Sequence, residues 1–148
     1  MIDKKYIGFS FPPVKLNVEE GRLKFLAKSL GETKGIYVDT KIAKQKGFRG
    51  LLAPPTFPFM LEIDAFDLSD FVHFLGESLE KLLHGEENFT YYAPIYAGDI
   101  ITISKKITDI IDKKGGDLQF VISENTFINQ DNIVVANTVT NYVFMHKR

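Results

Sequence analysis

The spacing of hydrophobic and polar positions changes about halfway along this chain. In the first half Leu23, Leu26, Ala27 and Leu30 recur at helical spacing, and Gly31 follows as a stop. Asn17, three residues ahead of Glu20, predicts a capping box at the start of that helix. A second, shorter helix is predicted from Asp39 to Lys46, capped by Asp39, buried through Ile42 and Ala43, and closed by Gly47. In "LLAPPTFPFMLEID" the prolines Pro54, Pro55 and Pro58 cannot sit inside a helix. They suit a first turn, where the missing N–H would have had no partner. A third helix is therefore predicted from near Thr56, carrying Phe57, Met60 and Leu61 and apolar on several sides.

From Glu86 onward the segments "ENFTYYAPIYAGD", "IITISKKITDII", "LQFVISENTFI" and "IVVANTVTNYVF" are rich in β-branched and aromatic residues. Between them "KGGD" and "NQDN" supply Gly, Asn and Asp, the residues that tolerate positive φ, so neighbouring strands are predicted to pair as hairpins in a meander. Leu118, Phe120 and Ile122 alternate with Gln119, Val121 and Ser123, which predicts one well-buried face. Helices first and a sheet after make an α+β layer architecture, with the apolar helix as filler for the sheet's inner face. No repeat or linker interrupts residues 1–148, so a single domain is expected.

Composition removes several functions. Lys and Arg total 18 against 19 Asp and Glu, and no basic stripe with interleaved aromatics is present, which argues against nucleic-acid binding. The absence of cysteine excludes disulfides, thiolate metal sites and a Cys nucleophile. No run of 18 uncharged apolar residues occurs and "MIDKKYIGFSFPP" lacks a signal-like core, so no membrane association and a cytoplasmic location are expected. His73, His84 and His146 do not have metal-ligand spacing, and neither a P-loop, a dinucleotide fingerprint, a Gly-x-Ser-x-Gly elbow nor an HExxH helix is found. No metal and no cofactor are expected.

Three stretches, "GETKGIYVDTKIAKQKGFRG", "LLAPPTF" and "LLHGEENFTYYAPIYAGDIITISKKIT", in this order and spacing resemble the MaoC-like family of (R)-specific enoyl hydratases and 3-hydroxyacyl dehydratases, and most closely its N-terminal, non-catalytic branch. The resemblance covers roughly residues 14 to 112. It implies a hot-dog fold, a curved antiparallel sheet wrapped around the helix after Pro55, and a double hot dog on dimerisation. Active members carry Gly-Asp-x-Asn-Pro-x-His, whose Asp and His hold a water and shuttle its proton. They also carry Ala-His-Gly, whose Gly amide donates to the thioester carbonyl at the helix start. Laid on this sequence, the Asp falls on Glu32, the Asn on Lys34, the Pro on Gly35, the His on Tyr37, and the Ala-His-Gly on Ala53, Pro54 and Pro55.

These exchanges bear on chemistry. Proline has no N–H, so Pro55 cannot be an oxyanion donor, and losing one such donor typically lowers turnover by about 10²–10³. A phenol titrating near ~10 is a poor general base at neutral pH, which counts against Tyr37. Glu32 keeps a carboxylate but displaces it by about an ångström, enough to lower the rate on the order of 10²-fold in a preorganised site.

With no catalytic residue expected, the resemblance implies a partner's role. The chain would be the acyl-chain-accommodating subunit of a heteromeric (R)-3-hydroxyacyl-thioester dehydratase or enoyl hydratase, acting on coenzyme A or acyl carrier protein thioesters beside a catalytic MaoC-like subunit. Phe57, Met60, Phe89 and Tyr91 are the expected substrate-lining residues, within an apolar run that includes Phe59 and Phe66. Plain core filling competes with that reading of the Phe and Met positions. Two alternatives stay open: a homodimeric acyl-thioester binding or regulatory module, and a self-sufficient hydratase or thioesterase using Glu32 or His84 as base. Glu86 and Glu87 are expected as solvated or interface charges, and Asp99 as a turn-fixing residue.

Overall fold

The computed structural model describes residues 1–146. After a single 3₁₀ turn at Lys4–Tyr6, the elements are β1 (Val14–Asn17), α1 (Glu20–Ser29), α2 (Gly35–Val38), α3 (Thr40–Gln45), α4 (Phe57–Ala65) and α5 (Leu68–Phe74). Four long strands follow, β2 (Leu82–Tyr91), β3 (Ile100–Lys113), β4 (Leu118–Ile128) and β5 (Val134–Met145). They form one antiparallel sheet in the order β1-β3-β4-β5-β2, so β1 and β2 are its edges. No helix among the described residues is long and apolar enough to cross a membrane.

Most of the expected elements form for the expected reasons. Asp39 caps α3 by accepting from the N–H groups of Lys41 and Ile42, and α4 starts at Thr56 with proline in its first turn. The β3–β4 connection carries Gly115 and Gly116 at φ 67° and 94°, and the β4–β5 connection carries Asn132 at φ 59°. Asp99 fixes its turn, accepting from the Tyr96 N–H at 2.8 Å and from Arg49, whose guanidinium also stacks on the Tyr96 ring.

Three expectations fail. Ile42, expected to be buried in α3, is 37% exposed, and Ala43 is the buried residue of that helix. The capping box does not form: Asn17 lies in β1, paired with Ile100, and α1 starts after Glu19 with no side-chain cap. Pairing of Val14–Asn17 with β3 satisfies four residues of backbone, which outweighs one local cap. In β4 the alternation holds, but the buried face is Gln119, Val121, Ser123, Asn125 and Phe127, while Leu118, Phe120 and Ile122 are only half-buried. The reason lies in the core itself. It consists of two apolar clusters, one around Phe57, Leu61, Ile101, Ile103 and Phe127 and one around Phe71, Val72, Ile107, Val121 and Phe144. A polar belt separates them on the inner face of the sheet. Cross-strand partners place Lys105 beside Asn125 and Asn125 beside Thr138 in one row, and Ser123 beside Thr140 and Thr140 beside Glu87 in the next. All but Glu87 are fully or almost fully buried.

Candidate functional site

α4 packs against the sheet's inner face, and its two ends differ. At the N-terminal end the segment Leu51–Ala53 is tied to the loop before β3 by Ala53 N–H to Ile95 O (2.8 Å) and Ala97 N–H to Leu51 O (2.9 Å). This tie holds a cavity of about 360 Å³ lined by Ala53, Pro54, Pro55, Pro58, Tyr91 and Tyr92 among others, nearly all of it apolar. Tyr91 closes one side by donating its hydroxyl to the Pro55 carbonyl at 2.6 Å, and burial pushes its phenol above the ordinary value.

The helix start offers little to an oxyanion. Among residues 54–59, Pro54, Pro55 and Pro58 have no N–H at all. Phe57 N–H is used by Pro54 O (2.9 Å) and Phe59 N–H by Thr56 O (3.1 Å). Only the Thr56 amide, one residue past the position expected from the sequence, lacks a backbone partner among the described residues.

The loop bearing Glu32 and Tyr37 lies against the same region, since Ile36 O accepts from Leu52 N–H at 3.1 Å. Its groups are engaged in holding the loop. One Glu32 carboxylate oxygen accepts from the N–H groups of Thr33 (2.9 Å) and Lys34 (2.8 Å), a turn cap rather than a poised base. Tyr37 is half-buried within the single turn of α2. Gly35 is held by packing: a Cβ there would stand 2.5 Å from Ile42 Cγ2, so any side chain at the family's proline position must displace Ile42. Of the expected lining residues, Tyr91 borders the cavity. Phe57, 1% exposed, lies in the first apolar cluster, and Met60 packs against that cluster from the half-buried side. Phe89 stacks parallel on Tyr91 with ring centroids 6.0 Å apart.

The other half of α4 holds what the sequence reading missed. Glu62, 2% exposed, points into the polar belt, where its Oε1 accepts from Lys105 Nζ (3.1 Å) and Tyr142 OH (2.8 Å). The Lys105 ammonium also donates to Tyr142 OH at 2.9 Å and sits 4.2 Å from the centre of the Phe71 ring. Burial lowers the Lys105 pKa from its ordinary value although Glu62 opposes the shift, and burial next to Glu62 pushes Tyr142 far up. Thr138 and Thr140 offer one hydroxyl proton each, at 3.2–3.3 Å from Glu62.

Glu87, on the edge strand β2, completes the cluster and corrects the expectation of a solvated charge. Its side chain is 11% exposed, and the Nε2 of His84 lies 3.5 Å from its Oε2. Both carboxylate oxygens are buried without a hydrogen bond of ordinary geometry, the Thr140 and Thr138 hydroxyls being the nearby donors that favour the charged form. Burial, followed by the charge of Glu62, raises its pKa from 4.5 to about 7, with the hydroxyls of Thr140 and Thr138 and the charge of Lys105 pulling the other way. A second cavity of about 250 Å³ opens here, bounded by Phe59, Ile63, Phe66 and Leu82 and by the polar groups of Glu62, His84 and Tyr142. No group of three or more His, Cys, Asp or Glu among the described residues is arranged to hold a metal.

Comparison with known proteins agrees with this architecture. A family model described as the FAS1-like dehydratase domain region matches residues 5–138. A "UPF0336 protein" of Streptomyces avermitilis is 29% identical over 138 residues, covering 93% of this chain and 92% of its own. Another of that description from Tropheryma whipplei is 30% identical over 139 residues, covering 88% and 91%. Among solved structures, the HadBC (3R-hydroxyacyl-ACP dehydratase) complex of Mycobacterium tuberculosis superimposes with a TM-score of 0.81 at 19% identity, over 93% of this chain and 96% of that one. A MaoC-like dehydratase gives 0.83 at 22% identity, over 95% of this chain and 42% of its own. The ChsH1-ChsH2 complex of M. tuberculosis gives 0.68 at 15%, over 95% and 98%. At these identities the structural likeness establishes the hot-dog fold.

Proposed function

The chain belongs to the FAS1-like dehydratase-region family of MaoC-like hot-dog proteins, and from that premise we propose that it is the non-catalytic, acyl-accommodating subunit of a heteromeric 3-hydroxyacyl-thioester dehydratase or enoyl hydratase. The observation that carries this reading is the start of α4. Three imino acids occupy residues 54–58, and the amides of Phe57 and Phe59 are spent on Pro54 and Thr56, so the helix end that should polarise a thioester carbonyl has been stripped of all but one donor. The nearby carboxylate of Glu32 serves its own loop, and a tyrosine stands where a base is needed.

Without an acid, a base and a full set of donors, the cavity at the helix start can hold an apolar chain but has no means of adding or removing water across it. Its apolar walls suit that role. The partner is a catalytic hot dog joined through an edge of the sheet. Among the described residues nothing pairs with the outer side of β2, a ten-residue strand with Leu83 exposed on it, and such an edge seeks a second strand. The solved structures titled as the HadBC and ChsH1-ChsH2 complexes support a heteromeric arrangement by analogy of fold.

Coexpression with a catalytic MaoC-like subunit tests this. A stable complex that hydrates a trans-2-enoyl thioester is expected. A chain that purifies only as a homodimer and binds thioesters without turnover would replace this reading with that of a binding module.

A further inference from the structure

The outer face of the sheet, turned away from α4, carries an apolar band that the chain's own core does not use. Cross-strand pairing sets Ile111, Phe120, Val143 and Leu83 in one row across β3, β4, β5 and β2. Leu118 and Met145 pair in the next row toward the β3–β4 turn, and Ile122 stands in the next row away from it. Among the described residues none of these belongs to either apolar cluster or packs on one. Their neighbours in the sheet leave them half-buried, and Leu83 is 49% exposed.

Gly85 keeps the band open. It lies in the irregularity between His84 and Glu86, where a Cβ would stand 2.7 Å from Val143 Cγ2, so any other residue there would press on the central row.

The charged residues that flank the band point to its occupant. Lys113 pairs with Leu118 on one side of the central row, and Asp109 pairs with Ile122 on the other, in a row that ends at Glu86 on β2. All three charges are exposed. A second copy of the face fits when it is turned about a two-fold axis that crosses the strands along the central row. Ile111, Phe120, Val143 and Leu83 then each meet their own counterpart, Leu118 meets Ile122, and Lys113 meets Asp109 twice, so the face is complementary to itself in both shape class and charge. An axis along the strands fails, because it sets Asp109 against Glu86.

The band is four strands wide and three rows long, about 19 Å by 20 Å, or roughly 400 Å² on each copy. That is about half of a standard protein–protein interface, so the association it supports is reversible.

We propose that the outer face of the sheet is a self-association surface, on which two copies pack sheet against sheet through the row Ile111, Phe120, Val143 and Leu83. Lys113 and Asp109 fix the orientation. The backbone edge of β2 stays free in this arrangement, so the contact does not depend on the acyl-accommodating role and forms with or without a catalytic partner on that edge.

Sedimentation velocity of the purified full chain, at concentrations on the order of 10⁻⁶ to 10⁻⁴ M, tests the assignment. The mass should rise reversibly with concentration. Lys113→Glu turns two exposed ion pairs into two repulsions and should weaken the association about tenfold, and adding Asp109→Lys should restore it. Phe120→Lys sets two ammonium groups against each other on the axis and should abolish the association while the circular dichroism spectrum stays that of the wild type. The charge exchange at the two exposed positions carries the test if Phe120→Lys fails to fold. A single mass across the whole range would overturn the proposal. So would an association that Lys113→Glu leaves unchanged, since the contact would then lie on another surface such as the β2 edge.

Discussion

The two halves of α4 face the same sheet but invert the expected division of labour. At the N-terminal half, where a hydratase keeps its donors and where the matching loop should carry acid and base, there are imino acids, spent amides and an apolar cavity. At the C-terminal half, where a hydrocarbon wall was expected, a glutamate, a lysine, a tyrosine and two threonines meet in the interior beside a second glutamate. The difference teaches that an apolar, donor-poor helix start does not make a hot-dog interior purely apolar. The energetically expensive groups of this protein are at the other end of the helix.

The largest effect should come from unbalancing the buried pair. Lys105→Met leaves the Glu62 carboxylate without its cation in a site where both residues are 2% exposed, and should destabilise the fold by about 3–5 kcal/mol. Urea unfolding measures this, and adding Glu62→Leu to that variant should recover most of the loss, because two apolar side chains have no desolvation penalty.

Next is a pH effect. The Glu87 carboxyl is raised from 4.5 to about 7 in the fold, so between those values the native state holds a proton that the unfolded chain releases. Stability is therefore full below about pH 4.5, declines as pH rises through that window, and is level above 7, by an amount on the order of 3 kcal/mol at most. The groups facing Glu87 are Glu62, Lys105 and His84. Unfolding midpoints measured across the window should fall in the wild type, and Glu87→Gln should remove that component of the slope.

At the other half of the helix the effects should be smaller. Gly35→Ala forces Ile42 aside and should destabilise by about 1–3 kcal/mol, whereas the same change at the open position Gly21 should not. Tyr91→Phe removes one hydrogen bond, to Pro55 O, at a half-exposed position, and should lower stability by about 0.5–1.5 kcal/mol without altering the fold, as read by thermal unfolding and circular dichroism.

The helix after Pro55, the meander and its turns were legible because each rests on local chemistry: proline in a first turn, glycine and asparagine at positive φ, β-branched runs between them. The matching of Glu32, Tyr37 and Pro55 to catalytic positions came from the family resemblance alone and enters the proposed function as such. The polar belt was not legible. Lys105, Ser123, Asn125, Thr138 and Thr140 occupy inward positions of strands whose outward positions include Phe120, Ile122, Val139 and Val143, so a period-2 reading puts the wrong set inside. Only the register of β3, β4 and β5 reveals that the polar set lines up across the sheet, and only Glu62 on α4, in a segment dominated by Phe and Leu, hints that the interior has a partner for a lysine. β1 and α5 were missed for a related reason. Four residues of strand and seven of helix are too short to show a period, and both are stabilised mainly by what they pack on.

The most direct test of the proposed role, in which the start of α4 supports no chemistry, is the rate of hydration of crotonyl-coenzyme A by the purified chain, followed as loss of enoyl-thioester absorbance. The account predicts no rate above buffer for the chain alone and turnover once a catalytic hot-dog partner is present. Turnover by the isolated chain that disappears in Glu32→Gln or His84→Ala would contradict it.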